Sequence, residues 1–437
     1  MLNKDRTFID KLIIFSRYPV PGRTKTRLIS DLGTLGAADL QRRLTEKTLR
    51  TVRSFLLHRE MDAEVQFEGG NKKKMRRWLG SDILFLRQVR GNIGRRMQSA
   101  FLDAFQKGYS RVILIGTDIP RMRSDHLIQA YDLLAYKDLV LGPSIDGGYW
   151  LIGLKRPLDL FQGIEWGTEK VLEQTVSRAK DQKLAYQLLE LLNDIDTIDD
   201  VRNWNSSEAR YRPYISVIIP AFNEEKKIQH TVRNAIDENT EVIVADGGSD
   251  DNTIHLANTA GARVVRSRKG RAVQQNRGAE ESNGKVLLFL HSDTLLPKEY
   301  GTLVFENLMD PTIILGAFRF KTDLANPLMR VIEHLVNLRS IYLKLPYGDQ
   351  ALFLGRASFE SAGGFPDVKI AEDLLLVRKV SKKGQIGIVP VPAITSGRRW
   401  SKLGIVSTTL INLTILVGCL LGISPDGFSG IYGSYKK

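Results

Sequence analysis

Three kinds of residue in this 437-residue chain could do chemistry. They are carboxylates at the ends of apolar runs, basic residues interleaved with small ones, and an adjacent acidic pair. The first kind is clearest at residues 285–297, KVLLFLHSDTLLP. Residues 286–290 form an uninterrupted apolar run of strand length, as expected of a parallel strand covered on both faces by helices. The run stops at His291-Ser292-Asp293-Thr294, so polar groups emerge where the carboxyl end of the strand opens, the edge where open α/β sheets bind ligands. A carboxylate there can hold a divalent ion, which can in turn hold a diphosphate. The plainer alternative is an Asp capping the next helix.

Residues 111–120, RVILIGTDIP, repeat the arrangement with Asp118. Asp146 sits in a glycine-rich loop, GPSIDGGYW (142–150), where backbone can approach a ligand closely. The loop PVPGRTKTR (19–27) alternates Arg23, Lys25 and Arg27 with small residues. It can wrap a phosphate, or it is a basic surface turn. Glu372-Asp373 is the acidic pair. Adjacent residues in a helix do not share a face, so the two must play different parts.

The elements that must position these residues alternate strand and helix. Strands are expected at 11–15, 111–115, 138–141, 215–219, 241–245 and 286–290. A helix is expected over 40–56, and Pro220-Ala221-Phe222-Asn223-Glu224-Glu225 is expected to open another with Ile228, Val232 and Ile236 on one face. Residues 205–213, NSSEARYRP, are polar and end in proline, and after them the pattern begins again. This implies two copies of one α/β nucleotide-binding plan, over 1–208 and 213–437. The expected fold class is α/β, with two tandem Rossmann-like domains built on mostly parallel central sheets.

Composition sets the bounds. The chain is 43% hydrophobic and 26% charged, as a folded protein should be, and too long for one ordinary core. A net charge of +14 raises nucleic acid or anionic lipid as partners. Yet the densest cluster, Lys72-Lys73-Lys74 with Arg76-Arg77, has no aromatic interleaving and no nucleic-acid motif accompanies it. No nucleic-acid partner is expected. The single cysteine, Cys419, excludes an internal disulfide and a multi-cysteine metal site. It fits a reducing, cytoplasmic interior, and the N-terminus lacks a clean export-signal core. Residues 403–425 carry no charge and approach the roughly 20 residues that cross a bilayer. Hydroxyl and amide side chains dilute them, so contact with the inner face of a membrane competes with a buried helix and stands ahead of a span.

The second half resembles the family 2 glycosyltransferases of GT-A fold. The residues that carry the resemblance are VIIPAFNEE (217–225), VADGGSDD (244–251), HSDT (291–294), YGDQ (347–350) and Glu372-Asp373. Residues 268–276 and Arg398-Arg399-Trp400 bring it closest to the subfamily labelled arsenosugar-biosynthesis glycosyltransferases. The resemblance implies an inverting transferase using a nucleotide-sugar donor and an unknown acceptor. Glu224 and Asp246 would face the nucleoside, with Pro220, Arg271, Asn276 and Ser292 around the donor. Arg398, Arg399 and Trp400 would clamp the diphosphate, although the arginines equally suit a basic collar at a membrane surface. Asp349 and Gln350 would shape the acceptor side. Asp373 would be the base, with Glu372 the second candidate. Asp293 would hold Mg²⁺ or Mn²⁺. His291 replaces the first carboxylate of the usual acidic triplet, so it would bind Mn²⁺ or touch phosphate.

The first half resembles the partner family often found with this one, itself similar to sugar-1-phosphate nucleotidyltransferases. Its matching residues are PVPGRTKTRL, Gln88 with residues 91–97, GTDIP, DGGYW and WGT. By that similarity Asp118 and Asp146 would hold Mg²⁺, while Arg23, Lys25 and Arg27 would meet phosphates. Asn92 and Arg95 depart from the acidic residues expected there. The half is thus expected to activate a sugar phosphate or transfer a second sugar; the alternative is a non-catalytic nucleotide-binding module.

Overall fold

The computed structural model describes residues 10–206, 213–421 and 423–428. It divides into two compact units, 1–211 and 212–437. The expected junction at 208–213 lies almost wholly outside the described residues.

Unit 1 is built on seven strands: β1 (Asp10–Arg17), β2 (Asp62–Glu68), β3 (Leu84–Arg87), β4 (Arg111–Ile115), β5 (Leu139–Pro143), β6 (Tyr149–Leu154) and β7 (Tyr186–Leu188). Their order is β3-β2-β1-β4-β6-β5-β7. All neighbours are parallel except β6, which runs against both β4 and β5. The apolar runs of β1 and β4 are buried along their centres because helices cover both faces, which is why they carry no alternation.

Unit 2 carries eight strands: β8 (Ile215–Ala221), β9 (Thr240–Asp246), β10 (Arg263–Arg266), β11 (Val286–Phe289), β12 (Thr294–Leu295), β13 (Ile313–Thr322), β14 (Leu352–Gly355) and β15 (Gln385–Thr395). The order is β10-β9-β8-β11-β14-β13-β15-β12. The strands from β10 to β11 are parallel, and β14 then enters antiparallel to β11. The first four strands of each sheet thus share one order and one direction, followed by an antiparallel strand. The sequence repeat is a repeat of topology, two α/β units with mostly parallel sheets.

Some elements differ from expectation. The first helix runs Ile29–Leu56 rather than 40–56, broken at Gly33, whose φ of 71° takes it out of helical geometry. Pro220 and Ala221 complete β8 instead of opening a helix. That helix is Ile228–Ala235; it buries Ile228 and Val232, but Ile236 lies beyond its end and is 49% exposed. The backbone turns extended at Ile236, which removes it from the apolar face.

From 403–425 the chain forms a 16-residue helix, Ile405–Leu420. Among the described residues no helix is long and apolar enough to cross a membrane.

Candidate functional site

In unit 2 the carboxyl ends of β8, β9 and β11 lie on one edge, and the segment after each strand is polar. Gln274 stitches two of them, donating from Nε2 to the carbonyls of Ala221 and Ala245 at 2.7 and 2.8 Å. Asp246, almost fully buried, accepts from the backbone N–H groups of Gly248 and Ser249 at 2.8 and 2.9 Å. It braces the turn in which Gly248 takes φ of +89°. The preceding loop is laced to the same turn, Asn223 N donating to Ser249 Oγ and Asp250 N to Asn223 Oδ1. Lys269 lies over the Phe222 ring at 3.6 Å.

Arg398 ties this side together. Ser396 N donates to the Asp293 carbonyl and Gly397 N to Asp323, which anchors the segment leaving β15. From there the guanidinium donates to both Glu224 oxygens at 2.9 and 2.6 Å, and its Nε lies 3.2 Å from Asp293 Oδ2. Burial raises the Asp293 pKa, against the pull of Arg398 and with repulsion from Glu224.

A second group gathers around Gly348. Its N–H donates to Asp373 Oδ2 at 2.5 Å. A Cβ added at Gly348 would lie 2.8 Å from Nε2 of His291 and 3.0 Å from Asp373 Oδ2. The His291 Nε2 is closed off from solvent without a hydrogen-bond partner, and burial, with Arg271 nearby, lowers its pKa to about 3. The imidazole is therefore neutral at ordinary pH. Beside it Asp349 has a buried, unpartnered Oδ1; burial raises its pKa to about 6, opposed by Arg339 and reinforced by Asp373. Arg339 stacks on Tyr347 at 3.6 Å, its Nε and Nη2 likewise unpartnered. Glu372, 1% exposed, takes Arg271 at 3.3 Å, and its pKa is raised by burial against that cation. The two adjacent carboxylates face different partners: Glu372 points inward to Arg271 and Asp373 to Gly348.

Other expected site residues sit elsewhere. Asn276 donates to the carbonyl of Phe365 and accepts from its N–H at 2.8 and 2.9 Å, bracing a loop. Gln350 is fully buried, with its amide spent on Phe318, Ser340 and Tyr347, so it is a brace and offers no group to an acceptor. Trp400 packs in the core, its ring 5.7 Å from Phe320, which leaves it no face for a donor. Ser292 is buried, its carbonyl accepting from Thr231 at 2.7 Å, Pro220 is buried within β8, and Arg399 is half-buried on the short helix it shares with Arg398. Arg339 lies in none of the motifs singled out in the sequence, since it does not stand at a strand end, and Gln274, within residues 268–276, is assigned no role by its motif.

In unit 1 a cavity of about 310 Å³ opens at the carboxyl edge of β1 and β4. Lys25, in the left-handed region at φ 48°, puts its ammonium 3.0 Å from Asp118 Oδ2 and 3.4 Å from Asp196 Oδ1, and also donates to the Ile195 carbonyl. Burial alone would lower the Lys25 pKa; Asp118 and Asp196 outweigh it and raise it. Gln41 donates to Asp118 at 3.2 Å, and Arg27 meets Asp196 at 2.5 Å. Arg17 and Arg96 share Glu68 at 2.9 and 3.0 Å. Arg23 is exposed and does not line this cavity. Nor does Asp146, which accepts from Ser144 Oγ and Gly148 N. Its neighbour Asp194 has a pKa raised to about 6, by burial and then by Asp146.

Among the described residues no group of three or more His, Cys, Asp or Glu side chains forms a metal cage. In unit 1 the expected ligand Asp118 is neutralised by Lys25. In unit 2 Asp293 also faces a basic side chain, Arg398, and fits a cation that completes its sphere with phosphate oxygens, since Mg²⁺ commonly takes one or two carboxylates beside a substrate's phosphates; the orphaned His291 Nε2 lies against Gly348.

Residues 216–362 match the family described as glycosyl transferase family 2, and residues 51–168 match an uncharacterised bacterial family, DUF2064. The probable glycosyltransferase YdaM of Bacillus subtilis is 25% identical over 203 residues, covering 39% of this chain and 47% of that protein. The uncharacterised glycosyltransferase YfnE of the same organism is 32% identical over 94 residues, covering 19% of this chain and 24% of that one. The chain thus spans less than half the length of these curated relatives. A solved structure from Desulfovibrio desulfuricans, a candidate nucleotide-diphospho-sugar transferase, is 34% identical and covers 47% of this chain and 92% of its own, with a TM-score of 0.42. Unit 2 is a family 2 glycosyltransferase domain, and unit 1 carries a DUF2064 domain ahead of it.

Proposed function

We propose that unit 2 transfers a sugar from a nucleotide-sugar donor to an acceptor hydroxyl, with inversion. The observation that carries this reading is the pairing of two groups on one sheet edge: Glu224–Arg398–Asp293, and His291–Gly348–Asp373. The first is a charged cradle suited to a nucleoside diphosphate. The second holds a carboxylate beside a neutral imidazole.

Asp373 takes the acceptor proton as the hydroxyl attacks the anomeric carbon, and the C–O bond to the diphosphate breaks. Gly348 N–H fixes the orientation of its Oδ2, leaving Oδ1, which accepts from Leu374 N. Arg398 meets the departing diphosphate by exchanging carboxylate partners for phosphate oxygens. Asp293, with His291 beside it, would hold Mg²⁺ or Mn²⁺, which when bound supplies Lewis-acid neutralisation of the leaving group. Asp349 and Arg339 line the acceptor side.

The test is release of nucleoside diphosphate by the full chain from a panel of nucleotide sugars, with each cation. A chain that binds these donors and releases nothing with any acceptor class would overturn the transferase reading.

For unit 1 the reading is a phosphate-binding site that makes an activated sugar from an NTP and a sugar 1-phosphate. The basic residues of its cavity, Arg17, Lys25, Arg27 and Arg96, support it. The second reading, a nucleotide-binding regulatory module, is favoured by one observation: Lys25 occupies Asp118. Pyrophosphate release by full chain carrying Asp373→Asn separates the two.

A further inference from the structure

Unit 2 carries two neighbouring helices whose outer faces are apolar. On Ile405–Leu420 and just beyond it, Val406, Leu410, Leu413, Val417 and Leu421 recur every three or four residues and are 59, 57, 52, 45 and 75% exposed. That spacing puts them on one helical stripe. On Pro327–Tyr342, Leu328, Val331 and Leu335 follow the same rule, with Tyr342 two turns beyond Leu335 on the same face, and they are 45, 54, 54 and 74% exposed. The helices share a packing cluster, Ile332 and Val336 of one meeting Ile405 of the other around Trp400. A surface helix normally turns such a stripe toward the core. Here the inner faces already have their partners, Ile415, Leu416 and Cys419 packing on Ile370 and Leu374. An exposed apolar stripe of this extent marks an interaction surface.

Charge around the stripe selects the partner. The Ile405–Leu420 helix has no charged residue. The acidic side chain of the other helix, Glu333, is buried and spent on Thr322 and Arg330. Lys344, just past one helix, and Lys402, just before the other, are both exposed. A second copy of the chain would bring its own lysines against these. An anionic lipid surface meets both features, taking leucines into the acyl boundary and lysines at the headgroups.

We propose that these two helices form a platform that seats unit 2 on an anionic membrane surface without crossing it. The platform is built on the back of the acceptor-side segment, since Tyr347, Ile370 and Ala371 pack against the inner face of the Ile405–Leu420 helix. The inference rests on the exposed faces and not on the transfer reading, and its test uses no donor.

The experiment is co-sedimentation of the full chain with phosphatidylcholine vesicles, with and without phosphatidylglycerol. Binding is expected to the anionic vesicles, to fall about tenfold or more in Leu410→Glu/Leu413→Glu and in Leu328→Glu/Leu335→Glu, and to weaken with salt and in Lys344→Glu/Lys402→Glu. Each substituted position is exposed, so an unchanged melting temperature checks that folding is intact. Absence of binding by the parent chain overturns the proposal, and so does binding that both leucine pairs leave unchanged. A parent dimer in light scattering that the leucine substitutions dissociate, with no vesicle binding, makes the face a self-association surface instead.

Discussion

Arg398 Nε stands 3.2 Å from Asp293 Oδ2, so the carboxylate expected to carry a cation already faces one. Unit 1 repeats the relationship, with Lys25 Nζ 3.0 Å from Asp118 Oδ2. Both carboxylates lie in the segment that follows the fourth strand of the shared order. In each unit a cation bound with the ligand would compete with a basic side chain for the same oxygen atoms.

That competition can be measured. Arg398→Gln should free Asp293 and tighten binding of Mn²⁺ alone, by roughly fivefold if a half-exposed ion pair of about 1 kcal/mol is removed. Transfer should nevertheless slow, because the diphosphate loses its guanidinium. Calorimetric Mn²⁺ titration gives the first quantity and turnover the second. Looser Mn²⁺ binding in the variant would remove the competition.

Asp373→Asn should lower turnover by about 10²–10⁴ while donor binding persists, the range for loss of a general base. The amide still fills the space beside Gly348 but cannot take a proton. Thermal shift with donor and single-turnover kinetics separate binding from chemistry. Unchanged turnover would move the base elsewhere.

Gly348→Ala addresses the same geometry without touching an ionisable group. Its Cβ would fall 2.8 Å from His291 Nε2 and 3.0 Å from Asp373 Oδ2, so one of them must move. Turnover should fall with little change in donor KM, as expected when a reacting group is displaced by a fraction of an ångström.

How far these groups could be read from the sequence depends on what each residue is bonded to. Asp246 ends a buried strand and Asp293 and Asp118 follow one closely, and the strand-then-carboxylate pattern is local, so it is legible in the sequence. Gln350, Asn276 and Trp400 sit in equally distinctive motifs yet are spent on internal carbonyls, amides and aromatic rings. A motif carries no record of whether its side chain points into a cleft or a core. Arg339 lies in the last turn of its helix, ten residues before Asp349, and only the packed fold brings its guanidinium onto Tyr347. The exposed stripe of the Pro327–Tyr342 helix was hidden for a related reason. Apolar residues at helical spacing read as a buried face, and burial is set by neighbours distant in sequence.

Stability should also depend on pH, through Asp349. Its folded pKa of about 6 lies above the ordinary carboxylate value of 3.8. Below about pH 4 both folded and unfolded chains hold the proton, and this group contributes nothing to stability. Between about 4 and 6 the unfolded chain releases the proton while the folded one retains it, so stability falls as pH rises. Above 6 the folded chain carries a buried, incompletely paired charge and the full penalty is present. Asp349→Asn removes the ionisation while keeping the shape. Its melting temperature should therefore exceed the parent's at pH 8, with the difference closing as pH falls through 6 toward 4. Asp194, also at about 6, would add a similar slope in unit 1, so Asp349→Asn is compared with Asp194→Asn to assign each share. A melting difference for Asp349→Asn that stays constant from pH 4 to 8 would mean that Arg339 holds the carboxylate charged throughout.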